Sequence, residues 1–600
     1  MRRLFLAALL AASVALAAAQ NDYTLGPDSQ PQPGVPQGTV THYTLPPGKF
    51  YPGTPHHYAI YVPVQYNPAR PTPFMIFLDG SQALGKSVRA STVFDNLIAQ
   101  RQIPVMIGIF VDPGVLPAFS DQDQNRYERI FEYDSLSPRF SSFLLGELIP
   151  AVAAKYNLST NPDDRALSGV STGAVGAFMA AWNRPDQFHR VLSFIGTYVD
   201  MKGADHLPAL IRKTQPKPIR IFMQDGTNDH IVPAEPYGIA FAGSWPINNQ
   251  VMYQALQYSG YDVKLVMGHG THSMNQGGAI MPDALRWLWR DYPAPIVVHE
   301  NPAMHEPGWD PRGKVWDTLH IDKPWQEIEG PYRAAAALAS DKDGNVYFAD
   351  AAARQFDKVA PDGTLTLISR RQAAVITALR AGPDGRLYAS EPSLHRVVSF
   401  YPNASPLSEK IVARNINATA LAVTLKGAVY FTDQARKTIH LIEPSGHVRT
   451  VYAGEAMALP AGVTLSPDQA FLIVSDAQSR YSWSFQIAPD GSLVNGEPFY
   501  RLEMPEEGPE NWLSRADDLR EDSTGQVYFA TPLGIQVSMP NGRVEEILNS
   551  PHPGPIAALT FAAGNPSFLY VVEDGKIYRR PVKVTPAEIW APNKPSKPTL

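Results

Sequence analysis

Between residues 40 and 289, short apolar runs alternate with stretches whose apolar residues recur at helical spacing. Near-continuous hydrophobic runs at 58–64, 74–78, 105–111, 219–223 and 263–267 predict strands buried on both faces. Helical periodicity predicts helices over 141–156, 173–182, 249–258 and 279–289. This alternation is the pattern of an α/β sheet covered on both sides. Near Pro293 the pattern changes. Pro302, Pro307 and Pro311 mark a linker, and beyond it a repeat replaces the helical period. The segment Asp341-Lys-Asp-Gly-Asn-Val-Tyr-Phe-Ala-Asp350 is echoed by copies ending at Glu391, Asp433, Asp476, Thr531 and Asp574, at intervals of 41, 42, 43, 55 and 43 residues. Most copies are followed by a turn such as Pro361-Asp-Gly or Pro489-Asp-Gly. That period, with several short strands per unit, predicts six blades of a β-propeller, and Glu506-Glu507-Gly508-Pro509 reads as an inserted loop in the longest interval.

The ends and the composition narrow the picture. Arg2 and Arg3, an apolar run over 4–16 and Ala17-Ala18-Ala19 read as a secretory signal cleaved after residue 19. The run is too short to span a bilayer, and Sec export is preferred to the twin-arginine route. Residues 20–37, rich in Pro, Gly and Gln, predict a flexible leader. The expected order is signal 1–19, leader 20–37, α/β domain 38–297, linker 298–314, propeller 315–584 and tail 585–600. A net charge of −6 over 600 residues with no basic run argues against nucleic acid as a partner. Zero cysteines exclude disulfides and thiolate chemistry, which suits a periplasmic or secreted bacterial protein with no membrane contact after signal cleavage.

The candidate chemistry centres on Gly169-Val-Ser-Thr-Gly173, between a strand at 165–167 and a helix. A serine between two glycines at such a junction is a nucleophile elbow, whose tight turn lifts the hydroxyl above the sheet edge. Three fixed positions are weak alone, so the remaining partners must follow in the order serine, acid, histidine. The strand before Gln224-Asp-Gly-Thr-Asn-Asp229 offers Asp225 and Asp229; Asp229 is preferred because its loop can bend back to the site. Next, Gly268-His-Gly-Thr-His272 offers His269 and His272, with His272 preferred because it precedes a helix. The Thr172 N–H is one expected oxyanion donor, and the Ser81 N–H, after the strand ending at Asp79-Gly80, is the other. Trp245 reads as plain packing.

Residues 40–292 resemble the esterase family that includes enterochelin esterase and esterase D, a branch of the α/β-hydrolases. The resemblance rests on Tyr61-Val-Pro-Val-Gln-Tyr66, Phe77-Leu-Asp-Gly80, Phe131-Glu-Tyr-Asp134, Gly169-Val-Ser-Thr-Gly173, Gln224-Asp-Gly-Thr-Asn-Asp229 and Gly270-Thr-His-Ser273. It implies Ser171 as nucleophile, Asp229 as orienting acid and His272 as general base, with no cofactor. Residues 315–584 resemble the gluconolactonase and regucalcin family of six-bladed propellers, in which a Glu, two Asn and an Asp hold a divalent ion such as Ca²⁺ or Zn²⁺. This chain keeps the acids as Glu329 and Asp517 but reads Thr419-Ala420-Leu421 and Pro460-Ala461-Gly462 where the amides belong, with Asn415 or Asn417 as shifted substitutes. A hard cation wants about six to eight oxygens.

The expectation is therefore a two-domain chain, an α/β-hydrolase followed by an all-β six-bladed propeller. Its implied chemistry is a Ser-His-Asp carboxylic-ester hydrolase acting on small-molecule or carbohydrate-linked esters, such as acylated sugars or hydroxycinnamoyl esters. Two alternatives stay open: a metal-dependent sugar lactonase, and a propeller that is a non-catalytic binding platform.

Overall fold

The computed structural model describes residues 23–120, 122–229, 242–298, 315–320, 322–370, 375–404, 408–504 and 513–597. The expected signal segment, most of the linker and the insertion at 506–509 lie outside them. The chain divides into two compact units, the first described to residue 298 apart from Lys213–Gln215, which group with the second, itself described from residue 315. Among the described residues no helix is long and apolar enough to cross a membrane.

The first unit is built on one eight-stranded mixed sheet. Its strands are β1 (Thr39–Leu45), β2 (His56–Val62), β3 (Phe74–Leu78), β4 (Ile107–Val111), β5 (Arg165–Val170), β6 (Arg190–Phe194), β7 (Arg220–Gly226) and β8 (Asp262–Gly268). Their spatial order is β1-β2-β4-β3-β5-β6-β7-β8. Pairings β1–β2 and β2–β4 are antiparallel and the rest are parallel. Every residue of β3, β4, β5, β6 and β7 is buried, which is why these strands read as apolar runs rather than as alternation. The half-exposed β1, with Thr and His at its open positions, carried no such signal.

Five helices matter for the site: α1 (Ala90–Ala99), α2 (Arg129–Tyr133), α3 (Thr172–Asn183), α4 (Trp245–Tyr258) and α5 (Met274–Leu288). Strand alternation splits the core into two layers. Met75 and Phe77 point to the face where Phe94 of α1 and Met281 and Leu285 of α5 pack, with Phe77 stacked on Phe110 at 4.8 Å. Leu78 points the other way, toward Gly176 of α3 and Tyr133 of α2.

The leader is not free where the structure describes it. Asn96, 1% exposed, donates from Nδ2 to the carbonyls of Asp28 and Gln30, both at 2.8 Å, and the Gly38 N–H binds Asp95 Oδ1 at 2.7 Å. A buried amide with fixed partners holds residues 28–38 against α1, and composition alone cannot reveal that.

The second unit is a six-bladed propeller. Four-stranded antiparallel sheets occupy 335–370, 378–414, 420–453, 460–501 and 519–548. The sixth, at 556–582, takes its outermost strand from Gln326–Glu327, so the ring closes by pairing residues from its two chain ends. The repeated apolar motif is the second strand of each blade, buried throughout in Val346–Asp350, Leu387–Glu391, Val429–Asp433 and Val527–Thr531. Asp350, Asp433 and Asp476, which each end a copy, serve the backbone. Asp350 accepts N–H groups from Arg333, Ala334, Ala352 and Ala353, and Asp476 those of Ala458, Leu459 and Gln478. The tail also packs: the Ala587 N–H binds Glu521 O, and Asn593 binds Pro467 O and Ser523 O.

Ring closure rests on a short pairing, so its nearest apolar anchor should matter. Ile328, 5% exposed and bonded through its N–H to Ile577 O at 2.8 Å, packs with Val572 and Ile577. Ile328→Ala is expected to cost about 2–4 kcal/mol. In hydrogen-exchange mass spectrometry the 567–582 segment should exchange earlier than the other blades.

Candidate active site

Ser171 sits between β5 and α3 with φ 58° and ψ −121°, a left-handed backbone that a non-glycine residue adopts only under constraint. The constraint is crowding. A Cβ on Gly169 would lie 1.9 Å from the Gly173 carbonyl oxygen, so strand and helix meet only with hydrogen at that position. Backbone bonds hold the turn from the neighbouring strand: Ser171 N–H to Phe194 O at 3.0 Å, and Thr197 N–H to Ser171 O at 3.2 Å.

The acid and the histidine arrive on adjacent loops after β7 and β8, which pair in parallel. The Asn228 N–H binds Gly270 O at 3.1 Å and its Nδ2 binds His269 O at 2.7 Å, locking one loop to the other. Gln276 of α5 accepts the Gly270 N–H at 2.9 Å. The result joins three residues far apart in sequence. His272 Nε2 lies 2.9 Å from Ser171 Oγ, and His272 Nδ1 lies 2.8 and 3.0 Å from the two oxygens of Asp229. Asp229 is fully buried.

The alternatives separate cleanly. Asp225 accepts its neighbour's N–H, from Gly226 at 2.7 Å, and Nδ2 of Asn249 at 3.0 Å. His269 is placed outside, its Nδ1 3.2 Å from Thr227 Oγ1. Burial, then the hydrogen bond and charge of Asp229, pushes the Asp225 carboxyl well above the usual carboxylate range. Burial lowers His272 to about 4, and the Arg129 charge adds to that. The imidazole is thus a neutral acceptor at pH 7.

Thr172 is the first residue of α3, so its N–H has no acceptor within the helix and stays available beside Ser171. The Ser81 N–H differs from expectation. It donates to Asp112 Oδ1 at 2.9 Å and is committed there, because Asp79 turns through φ 55° and starts a short helix that swings Ser81 toward β4. Asp79 instead receives Arg129 at 2.8 and 2.7 Å, and the same guanidinium donates to Val170 O at 3.0 Å, directly below the elbow. Sequence reasoning missed Arg129, Thr197 and Asn249. Arg129 lies two residues before a quoted motif, but nothing local shows that the side chain turns inward. Trp245, read as packing, meets the His272 ring edge-on at 5.6 Å and donates from Nε1 to Thr197 Oγ1 at 3.1 Å.

Residues 51–288 match the family model described as "Putative esterase", and residues 336–573 match the SMP-30/Gluconolactonase/LRE-like region. The chain carries an esterase-family domain and a gluconolactonase-type propeller. An uncharacterised protein, YbbA of Bacillus subtilis (strain 168), is 22% identical over 185 residues, 29% of this chain and 68% of that protein. Among solved structures, a gluconolactonase from Xanthomonas campestris aligns over 44% of this chain and 91% of its own at 17% identity and a TM-score of 0.38. The enterobactin esterase of Shigella flexneri aligns over 43% and 62% at 19% identity and a TM-score of 0.33.

In the propeller, Glu329 and Asp517 are both exposed, and among the described residues no group of three or more His, Asp or Glu is placed to hold a metal. The adjacent Asp518 is the buried acid. It receives Arg520 at 2.6 Å, Arg380 at 3.0 Å and the Leu559 N–H at 3.1 Å. A carboxylate paired with two guanidiniums has no charge left for a hard cation, so Asp518 adds nothing to Glu329 and Asp517, whose oxygens alone fall short of the six to eight such an ion wants.

The depressed basicity of His272 gives a test. If His272 is the base of an ester hydrolysis, it works in its neutral form, so activity is lost as pH falls through its pKa. Hydrolysis of p-nitrophenyl acetate, read as kcat/KM, should show no loss from His272 protonation down to about pH 5 and fall tenfold per unit below about 4; a fall centred near 6.5 contradicts the burial argument.

Proposed function

We propose that this protein is an exported serine carboxylic-ester hydrolase whose first domain is an α/β-hydrolase with Ser171, His272 and Asp229 as its triad. The observation that carries the reading is the unbroken contact line Asp229–His272–Ser171, at 2.8 and 2.9 Å, mounted on a strained serine turn. His272 Nε2 takes the Ser171 hydroxyl proton as Oγ bonds to the ester carbonyl carbon. The carbonyl π pair moves onto oxygen, where the Thr172 N–H receives it. As that pair returns, the C–O bond to the alcohol breaks and the imidazolium delivers the proton to the departing oxygen. Water then repeats the sequence on the acyl-serine. Asp229 holds the Nδ1–H tautomer throughout.

Acylated sugars or hydroxycinnamoyl-type esters are the substrate class we favour. The gluconolactonase-type companion domain supports the carbohydrate side. On the acyl side, Ile130 and Phe131 of α2 are 40% and 45% exposed on the helix whose Arg129 reaches the elbow, which offers apolar surface to an acyl group. The signal-like residues 1–19 support export to the periplasm or beyond. For the propeller, the Arg380–Asp518–Arg520 cluster favours a non-catalytic binding platform over a lactonase.

Ser171→Ala should lower p-nitrophenyl acetate turnover by at least about 10³-fold with an unchanged circular dichroism spectrum, and chelator should leave the wild type unaffected. Unchanged turnover would falsify the triad assignment. Gluconolactone hydrolysis that survives Ser171→Ala and stops with chelator would move the chemistry to the propeller.

A further inference from the structure

Behind the nucleophile lies a second hydroxyl that the triad mechanism does not use. Thr197, 1% exposed, places Oγ1 2.9 Å from Ser171 Oγ, and Trp245 donates its Nε1–H to the same Thr197 oxygen at 3.1 Å. The turn after β6 sets this arrangement. Ile195 has φ 42°, its N–H binds Gln224 O at 2.7 Å, and the Gly196 carbonyl takes Nδ2 of Asn249 at 2.8 Å. Asn249 also reaches Trp245 O at 3.0 Å within α4, so one fully buried amide fixes both the threonine turn and the start of the tryptophan helix.

The direction of each hydrogen bond follows from donor counting. Ionised Asp229 only accepts, so His272 Nδ1 carries the hydrogen and Nε2 accepts. Ser171 therefore spends its one hydroxyl hydrogen on Nε2. Its contact with Thr197 is then satisfied only if Thr197 donates. Trp245, which can only donate, fills a lone pair of the threonine oxygen and leaves the threonine hydrogen free for that bond. One lone pair of Ser171 Oγ remains for attack.

We propose that Thr197 is a catalytic hydrogen-bond donor to Ser171 Oγ, oriented by Trp245, and that it acts most strongly when the acyl-serine breaks down. This rests on Ser171 being the nucleophile. In the acyl-enzyme Oγ is an ester oxygen, a poor acceptor. As the tetrahedral adduct of water collapses, the Oγ–carbon bond breaks, its electron pair goes to Oγ, and His272 returns the proton there. The threonine bond strengthens along that path, so it stabilises the transition state more than the ground state.

The test is stopped-flow p-nitrophenyl acetate hydrolysis by the full chain, with diisopropyl fluorophosphate labelling of Ser171 alongside. Thr197→Val should slow deacylation about tenfold and acylation less, so that acyl-enzyme accumulates and the burst stands out. Thr197→Ser, which keeps the hydroxyl, should recover to within about threefold, and Trp245→Phe should fall between. Wild-type deacylation in Thr197→Val overturns the proposal, as does a faster rate, which would mean that Thr197 merely competed for the serine hydrogen. If Thr197→Val does not fold, Thr197→Ser and Trp245→Phe decide. Equal losses in both, without acyl-enzyme accumulation, indicate a structural role and overturn it. Failure of the reagent to label wild-type Ser171 is the separate signature that the triad reading itself is wrong.

Discussion

The first domain depends on one close approach, the contact of Gly169 with the Gly173 carbonyl. Any side chain at 169 would overlap that oxygen at 1.9 Å, so β5 and α3 reach this proximity only through a glycine. The approach forces Ser171 into a backbone conformation that costs of order 1–3 kcal/mol, and the surrounding sheet supplies the compensation. Phe194 O, the Thr197 N–H and the Arg129 guanidinium each bond to the turn or to the residue before it. Position, strain and support of the serine are thus consequences of how two elements pack.

Electrostatics in the same place follow from burial. Three ionisable side chains lie together beneath the elbow, Asp225 and Asp229 fully buried and His272 largely so, and such a site does not sustain three full charges. The raised Asp225 carboxyl and the lowered His272 imidazole both favour their neutral forms there, and His272 Nδ1 faces Asp229 at 2.8 Å. Arg129 lies near enough to disfavour an imidazolium, yet it is neutralised by Asp79 through two bonds of 2.8 and 2.7 Å. The pair therefore braces Val170 without leaving a free cation beside Ser171.

In the propeller, acidic residues are structural. Asp350 and Asp476 end their strands by gathering backbone N–H groups, and Asp341 and Asp522 do the same in the turns. This explains why the repeat is legible as an apolar run ending in an acid. Asp518 differs: it is buried inside the ring and balanced by Arg520, two residues on, and by Arg380 from the inner strand of the second blade.

Sequence alone determined the features that depend on local chemistry or fixed period: the buried parallel strands, the six repeats, the elbow and the order serine, acid, histidine. Those signals survive because burial on both faces demands continuous apolar residues, and a left-handed serine turn demands flanking glycines. It also ranked Asp229 over Asp225 and His272 over His269; in the structure Asp229 lies 2.8 Å from His272 Nδ1, and His272 Nε2 lies 2.9 Å from Ser171 Oγ. Only the tertiary structure decided which groups meet across the sheet edge. The commitment of the Ser81 N–H to Asp112, the Thr197 hydroxyl behind Ser171, the turn of Trp245 toward His272 and the pairing of Asp518 with two arginines all join residues at least 26 positions apart or on different elements, except for Arg520 itself. Such contacts depend on the length and direction of side chains after the strands are in register, and no periodicity along the chain encodes that.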